Sequence, residues 1–123
     1  MNEKTRIARI ATIEAIVKEA DIIAEDVKTT HAETKKKAGE WLLNAKTNTK
    51  PQIAKDLTEK MIKMDGHAAT LEQMATYTHN NLEAAKNGDE DALYFAAGNY
   101  AEFVETLSDF EDAVAEIDNL IKN

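Results

Sequence analysis

Apolar residues recur at alternating steps of three and four along most of this 123-residue chain, and this spacing constrains the fold more than any other feature. Three such runs start at Ile10, Ala54 and Leu93, and each keeps the spacing without interruption. The spacing is typical of helices that pack side by side along a seam, whereas strands would alternate every second residue. We call the following the seam residues: Ile10, Ile13, Val17, Ala20, Ala24, Val27, His31, Thr34, Ala38, Trp41 and Ala45; Ala54, Leu57, Met61, Met64, Ala68, Leu71, Ala75, Thr78, Leu82 and Ala85; Leu93, Ala96, Tyr100, Phe103, Leu107, Phe110, Val114, Ile117 and Ile121.

The breaks between the runs carry helix start and stop signals. Thr49, Pro51 and Gln52 form the pattern of a capped helix start with an early proline. The segment 87–89 has Asn and Gly where a helix ends and Asp where the next one begins. These signals predict helices over about 3–46, 50–87 and 89–122.

Three helices of similar length, joined by two short turns, predict an all-α fold: an antiparallel three-helix bundle with coiled-coil-like heptad seams. If the first turn centres near Asn48, Val27 lies level with Leu71 and His31 with His67. If the second turn centres at Gly88, Leu57 lies near Ile117. We therefore expect one domain over 1–123, with residues 1–12 extending about three turns beyond the bundle.

The residue inventory argues against catalysis. The chain has no Cys, which excludes disulfides, thiolate metal ligands and a cysteine nucleophile. The four glycines are too far apart for a phosphate-binding loop, and Ser108 has no His near it in sequence. No His has a Glu three residues before it, as a di-iron bundle requires, and His79 with Glu83 is a weak metal motif. We expect no enzyme, no catalytic residue, no cofactor and no metal.

One polar layer is expected inside the seam. His31 occupies a seam position and is predicted to lie level with His67. Buried polar seam residues fix the register of helices, which is the simplest role for this layer. A pH switch and a two-His metal ligand set are the functional alternatives.

Several apolar residues fall on outward heptad positions. We expect Ile22, Tyr77, Tyr94 and Phe95 to occupy one zone near the second turn. Aromatic residues are enriched in interface cores, so this zone is a candidate apolar interface, and a homodimer is one possible outcome. Scattered surface apolar residues are also normal in monomers.

The net charge of −8 is concentrated in the last third of the chain. Residues 88–123 carry ten acidic side chains and one basic side chain. Residues 1–50 carry eight acidic and ten basic side chains. Five carboxylates recur at three- and four-residue steps and predict one outward acidic stripe on the third helix. The acidic stripe comprises Glu102, Glu105, Asp109, Asp112 and Glu116.

Three roles for the acidic stripe remain open: a solubilising face, a docking site for a basic protein surface, and a mimic of nucleic-acid phosphates. The acidity argues against direct binding to nucleic acid or an anionic membrane. No targeting segment and no stretch of 18 apolar residues is present, so we expect a location in the cytoplasm, or in that of a host. The sequence thus predicts a helical protein-binding module, an inhibitor or an adaptor. Its alternatives are a nucleic-acid-mimic inhibitor and a self-assembling scaffold subunit.

Overall fold

The computed structural model describes residues 1–44 and 50–122, and these form three α-helices that pack against one another. Helix α1 spans Glu3–Leu42, α2 spans Pro51–Lys86 and α3 spans Ala92–Lys122. The described residues contain no β-strand. The all-α three-helix bundle is therefore confirmed.

The helix ends follow from local capping chemistry. The Asn2 side chain accepts a hydrogen bond from the Thr5 amide at 2.8 Å, which caps α1, and Pro51 is the first residue of α2. After α2, Gly88 adopts a φ of 99° and the Asp89 amide donates to the Ala84 carbonyl at 3.0 Å. This bond closes a Schellman motif, whose left-handed residue is most easily a glycine.

The helix boundaries differ from the predicted ones at two places. Helix α1 ends at Leu42 rather than near residue 46, and α3 begins at Ala92 rather than at 89 because residues 90–91 form a turn. The predicted seam residue Ala45 and the predicted cap Thr49 lie outside the described residues.

The core is built from the seam residues. Every seam residue that the structure describes is buried or partly buried, and none is exposed. The larger core cluster includes Leu57, Met64, Leu71, Phe103 and Ile117, each fully buried, and a smaller cluster near the second turn joins α1 to the neighbouring ends of α2 and α3. The heptad spacing thus identified the buried face of each helix.

Polar contacts between helices fix the level at which they pair. His79 contacts Asp21 and Lys35 contacts Asp65 between α1 and α2, within two residues of the predicted antiparallel level. Lys60 contacts Glu116 between α2 and α3 at the predicted level. The described parts of the helices therefore pair close to the levels predicted from the sequence.

The expectation that residues 1–12 extend beyond the bundle is corrected by contacts near the second turn. The guanidinium of Arg6 donates to the Lys86 carbonyl and that of Arg9 to the Glu90 carbonyl, each at 3.2 Å. Ile10 packs against the smaller core cluster. The start of α1 therefore lies against the α2–α3 turn.

Candidate functional site: the outward face of α3

Helix α3 presents two different surfaces because its heptad pattern separates apolar from acidic positions. The seam positions point into the core and bury Ala96, Phe103, Phe110 and Ile117. The positions opposite the seam carry the acidic stripe, and all five of its residues are exposed. The five residues thus lie on the outward side of α3, and their function remains a prediction.

The last residue of the stripe is neutralised within the bundle. Lys60 Nζ lies 2.7 Å from Glu116 Oε2. This hydrogen bond, together with the charges of Lys60 and Lys63, holds the pKa of Glu116 below its ordinary value of 4.5. The same contact raises the pKa of Lys60 above 10.5. The Glu116 carboxylate is therefore already paired with a lysine of α2.

The other four residues of the stripe form no ion pair with any residue in 1–44 or 50–122. They span Glu102 to Asp112, a distance of about 15 Å along the helix axis. Neighbouring like charges at this spacing destabilise a helix by a few tenths of a kcal/mol per pair. The stripe is therefore a surface of free negative charge that the bundle itself does not use.

The first two turns of α3 carry no charge and expose aromatic rings. Tyr94 and Phe95 are 78% and 53% exposed, and their ring centroids lie 5.6 Å apart in an edge-to-face arrangement. Tyr94 also lines a cavity of about 330 Å³ together with Arg9 of α1. Phe95 has the same heptad position as Glu102, so the exposed ring and the acidic stripe share one side of α3.

The remaining predicted interface residues lie on other helices. Ile22 belongs to α1, and Tyr77 belongs to α2, where its hydroxyl accepts a hydrogen bond from Gln73 at 2.7 Å. The structure brings Tyr94 and Phe95 together, and the His79–Asp21 contact places Ile22 at about the level of Tyr77. The single zone for all four residues remains a prediction.

The polar layer inside the bundle has a different partner from the predicted one. His31 Nε2 lies 2.6 Å from Asp65 Oδ1, and the other carboxylate oxygen lies 3.4 Å from Lys35 Nζ. The imidazole edge also faces the ring of Phe110, with centroids 6.3 Å apart. The prediction that His31 pairs with His67 is wrong, because the His31 imidazole contacts Asp65 instead.

His79 also contacts α1 rather than its own helix. Its Nε2 lies 2.8 Å from Asp21 Oδ2, so Glu83 is not its partner. The two His–Asp pairs stand at opposite ends of a groove of about 570 Å³ between α1 and α2, whose floor includes Ala24, Ala68 and Ala75. Sequence reasoning missed both pairs, although Asp65 and His79 are fourteen residues apart and therefore repeat on one side of α2.

Among residues 1–44 and 50–122, no group of three or more His, Asp or Glu side chains is arranged to hold a metal ion. None of the three helices is long and apolar enough to cross a membrane.

The chain was also compared with known proteins. No protein-family model, no curated protein and no solved structure matches it.

Proposed function

We propose that this chain is a non-enzymatic protein-binding module that docks onto a basic protein surface through the acidic stripe of α3, as an inhibitor or an adaptor. The observation that carries the proposal is the set of four exposed carboxylates, Glu102, Glu105, Asp109 and Asp112, that form no ion pair within 4 Å among the described residues. Their mutual repulsion lowers helix stability, so a role in stability does not account for them. A basic partner supplies the missing counter-charge.

The distribution of charge supports docking by electrostatic attraction. Residues 88–123 hold a net charge of −9, whereas residues 1–50 hold +2. A single-sign surface of this kind attracts an oppositely charged partner over several ångströms and raises the association rate more than the final affinity. Phe95, exposed beside the stripe, adds apolar contact area to the same face.

Mimicry of nucleic-acid phosphates is less well supported than docking. Lys60 neutralises Glu116, and Lys37 lies 3.2 Å from Asp118 Oδ1. The free carboxylates therefore cover only about three turns of one helix. Such a short row matches few successive phosphates.

Self-assembly through the predicted apolar interface also has weaker support. Ile22, Tyr77 and the Tyr94–Phe95 pair lie on three different helices. A net charge of −8 opposes the approach of a second copy. The homodimer remains a prediction that sedimentation at high concentration would test, with Phe95→Glu as the variant.

The proposal is tested by affinity capture from a lysate of the encoding organism with three immobilised proteins: wild type, the double variant Asp109→Lys/Asp112→Lys, and the control Glu33→Lys/Glu40→Lys. The control changes the net charge equally, on exposed residues of α1. We expect a basic protein that wild type and control retain at low salt, and that the stripe variant loses. Identical capture by all three proteins contradicts docking through the stripe, and release of the captured protein by duplex DNA favours mimicry.

A further inference from the structure

A second surface feature of the bundle is a groove between α1 and α3 that no other part of the described chain fills. Val27 and Phe110 form its buried floor. Its walls are partly buried Ile23 and Thr30 on one side and Leu107 and Val114 on the other. We call this cavity of about 280 Å³ the α1–α3 groove.

The groove follows from the way in which the two helices pair. Helices α1 and α3 run parallel, and side-chain contacts join them at two distant levels: Arg9 donates to the Glu90 carbonyl, and Lys37 contacts Asp118. The same spacing places Ile23 level with Val104, which is 46% exposed at the edge of α3. The interface is therefore polar at its ends and apolar in its middle, where the groove opens.

The rim of the groove is acidic. Asp26 of α1 and Glu111 of α3 line it from opposite sides; both are exposed, and neither pairs with a cation among the described residues. Glu111 and the stripe residue Asp112 are neighbours in sequence and lie about 100° apart around α3. The groove therefore opens on the flank of α3 that faces α1, beside the acidic stripe, and has the same sign of charge.

These features select one kind of occupant. The apolar floor extends over residues 23–30 of α1, about 10 Å, which accommodates two turns of a helix and two or three apolar anchors. An amphipathic helix is the usual occupant of such a groove. The acidic rim requires Lys or Arg beside the anchors, and the charge of −8 disfavours a second copy of this chain.

We infer that the α1–α3 groove binds a basic amphipathic helix of a partner protein, which inserts apolar anchors between Ile23 and Leu107 and places cationic side chains against Asp26 and Glu111. This inference rests on the proposed function and names the element of the partner that is recognised. The acidic stripe steers the partner, and the groove holds it.

The experiment uses a synthetic 18-residue peptide with Leu on one helical face and Lys on the other, labelled for fluorescence anisotropy. A scrambled peptide of the same composition has no apolar face. We expect the amphipathic peptide to bind wild type at least about tenfold more tightly than the scrambled one, a difference of about 1.4 kcal/mol. Equal binding of the two peptides overturns the inference, because charge alone would then account for both.

Variants locate the binding site. We expect Val104→Lys to raise the Kd of the amphipathic peptide at least about tenfold, since it places a charge at the apolar edge. Ile62→Lys is the matched control, because it changes an exposed β-branched residue of α2 in the same way, and it leaves the Kd unchanged. A second variant, Asp26→Lys/Glu111→Lys, removes the acidic rim and weakens binding by a similar factor, with circular dichroism confirming helical content.

The outcomes separate this inference from the proposed function. Loss of peptide binding in Asp109→Lys/Asp112→Lys, with Val104→Lys unaffected, overturns the groove and leaves docking through the stripe intact. Failure of the peptide to bind wild type also overturns the groove. Failure of the stripe variant to alter capture from the lysate contradicts the proposed function independently of the peptide.

Discussion

His31 Nε2 lies 2.6 Å from Asp65 Oδ1, and this contact joins α1 to α2 at a position where the imidazole also faces Phe110 of α3. One polar side chain therefore touches all three helices. Because Asp65 also contacts Lys35, its carboxylate has partners on two successive turns of α1. A shift of α1 against α2 by one turn would separate these groups, which gives the layer a role in fixing the register.

The His31–Asp65 contact predicts a measurable coupling. In a double-mutant cycle with His31→Leu and Asp65→Ala, we expect a coupling free energy of unfolding of about 0.5–1 kcal/mol, since the pair is partly exposed. Urea unfolding of the four proteins measures it.

The matched control for this cycle is His31→Leu with His67→Ala. The sequence-based pairing of His31 with His67 requires coupling in that cycle, whereas the structure requires none. A coupling in the second cycle that equals the first would contradict the observed contact.

The difference between Asp65 and His67 shows what the sequence could and could not predict. The heptad spacing identified the buried face of each helix and the approximate level of pairing, because both depend on regular helix geometry. The prediction for His31 used only the position of each residue along the bundle axis and not its direction around the helix. Asp65 and His67 lie on opposite flanks of the α2 seam, and the order of the helices around the bundle decides which flank faces α1.

The candidate site, like the fold, was predicted only where regular helix geometry was sufficient. The acidic stripe needed only the helical period, so its five residues are exposed on one side of α3 as predicted. The neutralisation of Glu116 by Lys60 depends on which helix lies beside each flank, and sequence reasoning did not identify it. The α1–α3 groove depends on how closely two helices approach, which spacing does not specify.

The Lys60–Glu116 pair predicts a defined pH dependence. The pKa of Glu116 is lowered from 4.5, so the pair stabilises the fold above that pH and loses its effect as the pH falls through the lower folded value. The pKa of Lys60 is raised from 10.5, so the effect is also lost as the pH rises through that higher value. We expect carboxyl NMR titration to place the midpoint of Glu116 below 4.5 in wild type.

The control for this titration is Lys60→Met, which keeps the length of the side chain and removes its charge. We expect the Glu116 midpoint to rise in this variant, because the hydrogen bond and the charge that lower its pKa are removed. A Glu116 midpoint that does not change on removal of Lys60 would show that the ion pair is absent in solution.

The packing of the first turns of α1 predicts unequal effects of two isoleucine substitutions. Ile13 is fully buried in the smaller core cluster, whereas Ile7 is 57% exposed. Ile13→Ala should lower the free energy of unfolding by about 2–5 kcal/mol, and Ile7→Ala by less than about 0.5 kcal/mol. Equal small effects in thermal unfolding would mean that the start of α1 extends away from the bundle.

Alanine substitutions at different glycines are expected to change the free energy of unfolding in opposite directions. A Cβ at Gly66 or Gly98 would meet no atom within 4 Å, and both residues lie inside helices. Gly66→Ala and Gly98→Ala should each raise the free energy of unfolding by about 0.5–1 kcal/mol, because alanine loses less backbone entropy. Gly88 has a φ of 99°, so Gly88→Ala should lower it by about 1–2 kcal/mol. Urea denaturation of the three variants measures these changes, and stabilisation by Gly88→Ala would contradict the Schellman motif after α2.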